Sequence, residues 1–100
     1  MSEYYMLKDK IAIPCDLMSW ARWFEKADRH VAKSGGPKGE RPWISTVFLG
    51  LNHNSGDGPP LLFETMIFGG EHDQYQVRCS TWKQAEAMHA KACKLAGIKL

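Results

Sequence analysis

Three runs in the second half of the chain constrain its fold more than anything else in it. Trp43 to Leu51 (WISTVFLGL) and Leu61 to Phe68 (LLFETMIF) are rich in β-branched and aromatic residues, and Gln74 to Cys79 (QYQVRC) alternates polar with apolar positions. Such runs fit a pleated, half-buried surface, and their short connections predict an antiparallel meander. The first connection, Asn52 to Pro60 (NHNSGDGPP), has two readings. Gly, Asn, Asp and Pro are turn residues, which makes it a hairpin connection; alternatively, His53 and Asn54 stand on a ligand- or partner-binding loop held up by the sheet. In the middle run Leu61, Phe63 and Ile67 alternate with Leu62, Met66 and Phe68, so both faces of that strand require cover. The cover is a layer of the same chain, a second copy or a partner.

The remaining segments supply a hairpin and two helices. Glu3 to Ile13 reads as two short strands around Lys8-Asp9-Lys10, closed by Pro14. Asp16 caps a helix predicted over Leu17 to Ser34, where Leu17, Trp20, Ala21, Phe24, Ala27 and Val31 recur at helical spacing. Gly35 to Pro42 has the composition of a loop. Thr81 with Gln84 forms a capping box before an Ala-rich helix that stops at Gly97. The expected order is β-β-α-β-β-β-α, an α+β fold with an antiparallel sheet of about five strands packed with two helices. All 100 residues read as one domain.

Composition removes several function classes. A net charge of +2 is too small to imply nucleic acid, so nucleic acid is not an expected partner. No apolar run approaches the roughly 20 residues of a membrane span or the shorter core of a signal peptide, which predicts a cytoplasmic protein with no membrane partner. Cys15, Cys79 and Cys93 are odd in number and lack CxxC spacing, against a disulfide scaffold or a zinc ribbon. His30, His53, His72 and His89 show no HxxxH pair, and a meander places His53 and His72 at opposite ends of a strand roughly 26 Å long. No metal and no cofactor is expected.

Three residue groups remain candidates for a site. The end of the last strand returns beside the His53 loop, so His53, Asn54, Arg78, Ser80 and Thr81 form a candidate anion site at a helix N-terminus. Against it, the loop lacks the GK[ST] ending of a phosphate loop, and the capping box satisfies the same N–H groups. On the first helix Arg22, Lys26, Arg29 and Lys33 fall in one arc, either a solvated face or a surface for an acidic partner. With Trp43, Phe63 and His53, the residues Arg22, Lys26 and Arg29 are the candidate partner contacts. His89 lies on the face of the second helix that meets the sheet, one turn before Cys93. The two are either packing residues or a Cys-His pair, and no catalytic residue is assigned.

The segment STVFLGLNHNSGDGPPLLFETMIFGG followed by STWKQAEAMHA resembles a group of small proteins encoded by tailed bacteriophages and prophages, over most of the chain from DLMSWARWFEKADRHVAKSGG to His89. Two positions depart from that pattern: Asn52 stands where an acidic residue is common, and Cys79 where an aromatic one is. The resemblance implies a phage context and a bacterial host cell. It also implies a non-enzymatic accessory protein that binds and blocks a host or antiviral defence protein, in the manner of an anti-CRISPR inhibitor. The alternatives are a protein that sequesters a nucleotide-like signal at the His53 loop, and self-association into a homodimer.

Overall fold

The computed structural model describes residues 3–35 and 42–98. The chain forms β1 (Tyr4–Lys8), β2 (Ile11–Cys15), α1 (Leu17–Lys26), β3 (His30–Gly35), β4 (Trp43–Phe48), β5 (Phe63–Phe68), β6 (Gln76–Cys79) and α2 (Trp82–Ala96). This is an α+β fold with two antiparallel sheets, a β1-β2 ribbon and a four-stranded meander in the order β3-β4-β5-β6.

The first helix is shorter than its apolar spacing predicts, and an additional strand takes its second half. Asp16 caps it as expected, accepting the Ser19 N–H at 2.8 Å, but at Ala27 the backbone turns extended (φ −78°, ψ 141°). Asp28 then accepts the His30 N–H at 3.1 Å, and the Phe48 N–H donates to the Arg29 carbonyl at 2.7 Å. These bonds deliver His30–Gly35 to the edge of β4, where ladder hydrogen bonds replace those of a helix. Val31 satisfies the helical stripe and the strand equally, because an isolated apolar residue fits either period. A register shift between His30 and Ala32 lets Val31 join the core. Gly35 and Pro42 of the expected loop are described, and residues 36–41 lie outside the described residues.

The ribbon is tied to the meander through residues after β4. Tyr5 N–H donates to the Gly50 carbonyl at 2.9 Å, and Asn52 N–H to the Glu3 carbonyl at 3.0 Å. Gly50 holds φ 77°, and a Cβ there would stand 2.8 Å from the Trp20 indole nitrogen, so a side chain is excluded. Trp20 in turn packs between Tyr4 and Phe24. Leu17, at the head of the expected stripe, is half exposed.

The expected capping box and C-terminal stop of α2 are both formed. The Gln84 N–H donates to Thr81 Oγ1 at 3.1 Å while Gln84 Oε1 accepts the Thr81 N–H, and Gly97 ends the helix with φ 77°. The buried face of α2, Ala85, His89, Ala92 and Cys93, is mostly small, which lets the helix lie close on the sheet. Beneath it sit Ile44, Thr46 and Phe48 of β4 and Phe63, Thr65 and Ile67 of β5, every one fully buried. Tyr5, Leu62 and Trp23 complete the core on the same side, so the ribbon, α1 and α2 all pack against one face of the meander. Leu62 belongs to this side and not with Met66 and Phe68. Its N–H donates to the Cys79 carbonyl at 2.9 Å before the regular β5 register begins at Phe63.

Candidate functional site

Strand parity decides which residues stand on the other face. Opposite the helix-covered positions, β4 presents Trp43, Ser45 and Val47 and β5 presents Glu64, Met66 and Phe68, all half-buried. Registers Trp43–Phe68, Ser45–Met66 and Val47–Glu64 place them side by side across the two central strands. Lys33 of β3 lies opposite Ser45, and Gln76 and Arg78 of β6 lie opposite Met66 and Glu64. The Trp43 and Phe68 rings stack at 4.3 Å with an interplanar angle of 19°. Beside them, the Arg78 Nε–H donates to Glu64 Oε2 at 3.0 Å, and the Gln76 amide donates to the same oxygen at 2.5 Å. The result is an apolar patch of Trp43, Phe68 and Met66 toward one end of the face, with Val47 beside the Glu64–Arg78 pair toward the other. Among the described residues no helix packs over it.

Of the candidate partner contacts, only Trp43 stands on this face. Phe63 is 0% exposed, because its register points it under α2 against Phe48 and Trp82, and it cannot touch a partner. The four-residue basic arc of the expected helix does not form. Arg22 and Lys26 are exposed on α1, but Arg29 follows the helix and Lys33 lies on β3. The Arg29 guanidinium sits 4.1 Å from the centre of the Phe24 ring and donates to the Phe48 carbonyl at 3.3 Å, bracing α1 against the sheet.

At the candidate anion site most of the expected donors are already bonded. Gln84 Oε1 already accepts the N–H groups of both Ser80 and Thr81 at 3.1 Å. Arg78 points to the opposite face of the sheet from the core position Cys79 and is engaged by Glu64. Asn54 is occupied within its own loop: its amide donates to the Pro59 carbonyl at 2.9 Å and its oxygen accepts the Gly56 N–H at 2.8 Å. Asn52 similarly accepts the N–H groups of Asn54 and Leu61. The loop's Asn residues therefore perform turn chemistry, and His53 is exposed on it.

His89 is buried but has no sulfur partner. Its Nε2 lies 2.8 Å from Ser34 Oγ and its Nδ1 2.7 Å from Thr46 Oγ1, while Thr46 and Thr65 share a hydrogen bond at 2.5 Å. A neutral imidazole donates from one nitrogen and accepts at the other, so the network links α2 with β3, β4 and β5 without a charge. Burial pushes the His89 pKa below its ordinary value, which favours that neutral form. Both ring nitrogens are engaged, and Cys93 packs with Ile44, Ile67 and Ala92, so the two form no Cys-His pair. Sequence reasoning missed Ser34, Thr46 and Thr65; the available signal was a hydroxyl at inward positions of otherwise apolar strands. Burial also raises the Cys79 pKa, which makes that thiol a poor nucleophile.

Among the described residues, no group of three or more His, Cys, Asp or Glu side chains is placed to hold a metal ion, and no helix is long and apolar enough to cross a membrane. No protein-family model, curated protein or solved structure matches this chain.

Proposed function

We propose that this protein is a non-enzymatic binding module of phage type whose working surface is the open face of the four-stranded sheet, and that its partner is a host or antiviral defence protein. The observation that carries the reading is the asymmetry of that sheet: ribbon and both helices lie on one side, while Trp43, Phe68, Met66 and Val47 stand half-buried on the other. Half-buried aromatic and apolar residues grouped on one open face are the kind of surface enriched at protein interfaces. Trp is also the residue type most often found to dominate binding energy. The Glu64–Arg78 pair beside the patch would fix orientation more than affinity. Nucleotide sequestration at the start of α2 is less well supported, because the amides and guanidinium it needs are already bonded.

The test is a Trp43→Ala/Phe68→Ala double variant in a bacterial defence assay, with affinity capture read by mass spectrometry. The reading expects the wild type to suppress defence and retain one stoichiometric host protein, and the variant to lose both at unchanged folding. A variant with full suppression and full capture overturns it. So does a wild-type homodimer that occupies this face and that the variant splits.

A further inference from the structure

We propose that the groove between the β1-β2 turn, Pro59-Pro60 and the first turn of α2 binds a small, flat, apolar anion of the aromatic carboxylate class. This inference is independent of the sheet-face reading, because the groove lies on the helix-covered side, around the core residues Tyr5 and Leu62.

The groove has a volume of about 400 Å³, and small-molecule sites run from roughly 300 to 1,000 Å³, so it holds a ligand of one or two rings. Its walls are Tyr5, Leu62, Pro59, Pro60 and Trp82, mostly flat apolar faces that suit an aromatic body. The charged group comes from the hairpin turn at the groove mouth. Asp9 and Lys10 hold φ of 51° and 68°, the left-handed conformations that an Asn-Gly pair adopts with less strain. That turn sets the Lys10 ammonium over the Trp82 ring, 5.4 Å from its centre. Lys10 is exposed, so it is free to swing from the ring to a carboxylate at the groove mouth.

A lone cation at the mouth of an apolar slot selects an aromatic body that ends in one anionic group. Ser80 and Thr81 also line the groove, but their N–H groups are held by Gln84, which leaves no cradle for several phosphates. The site therefore takes a carboxylate in preference to a nucleotide.

The experiment is a titration of the ¹⁵N-labelled chain with 2-naphthoate, followed through its four Trp indole N–H resonances. The Trp82 resonance is expected to shift and saturate while Trp43 and Trp20 stay fixed. Lys10→Gln, a surface change whose folding the Trp20 and Trp23 resonances verify, should weaken naphthoate about threefold, the scale of an exposed ion pair. Its affinity for neutral 2-naphthamide should not change. A Trp82 resonance that stays still at millimolar naphthoate overturns the proposal. Equal naphthoate affinity in K10Q and wild type, or unsaturating shifts at all four indoles, does the same.

Discussion

The two faces of the meander are written into the same strands at alternate positions, yet they are built by opposite rules. On the covered face every position of β4 and β5 is fully buried, and the polar groups there, Thr46 and Thr65, are bonded to each other or to His89. Burial demands this, because an unmet hydroxyl in the interior costs more than the bond itself contributes. On the open face the neighbouring residues are half-buried, two aromatic rings stack on each other, and an ion pair stands next to a methionine. These cross-strand pairs contribute on the order of 0.2–1 kcal/mol each to the sheet, far less than the packing of the covered face. The covered face thus explains why the chain is stable, and the open face is where the sequence has latitude for a partner.

Substitutions separate the faces by size of effect. The largest is expected at Phe63, whose truncation to Ala leaves a cavity under α2 and should cost about 3–5 kcal/mol in urea denaturation. Phe68→Ala, its counterpart on the open face, should stay within about 1 kcal/mol. Equal losses at the two positions would mean that the open face is core after all.

His89→Leu should cost about 1–3 kcal/mol, because the Ser34 and Thr46 hydroxyls lose their common partner. The wild type should also carry a pH signature from this residue. Its folded pKa lies below the ordinary 6.5, so the unfolded chain takes up a proton first. The contribution is fully present above about 6.5 and declines as pH falls toward the folded value. Denaturation midpoints measured across pH 5 to 8 should show that slope, to a degree that His89→Leu removes.

Thr81→Ala opens the capping box and should lower stability by about 1 kcal/mol in thermal unfolding, with binding at the open face unaltered. The smallest stability effect is expected for Met66→Glu, within about 0.5 kcal/mol, since the residue is half-buried beside Ser45 and Gln76. Its effect on binding should be the largest, because it sets a charge in the middle of the face beside the Trp43–Phe68 pair.

Local signals carried much of the architecture. The ribbon around Asp9-Lys10, the meander, Asp16 and Thr81 as caps and Gly97 as the stop all follow from propensity and turn chemistry, and all are present. Non-local pairing decided the rest. Ala27 to Gly35 left the helix because β4 offered its edge, which neither Val31 nor Lys33 encodes by itself. Alternation along the strand does not say which face Phe63 joins, and the irregular approach at Leu62 sets its inward parity. Arg29 looked like part of a basic face, whereas a ring and a carbonyl from two other segments hold it in place. The His89 network needed four elements that sequence spacing cannot bring together, and at the expected anion site Gln84 already accepts the Ser80 and Thr81 N–H groups.

The most direct test of the central claim compares Met66→Glu with wild type in quantitative capture of the partner protein, alongside thermal unfolding of both. The account predicts an unchanged unfolding temperature and capture reduced at least about tenfold, the scale of losing one central contact. Capture at the wild-type level by a folded Met66→Glu protein would contradict it and move the working surface away from the open sheet.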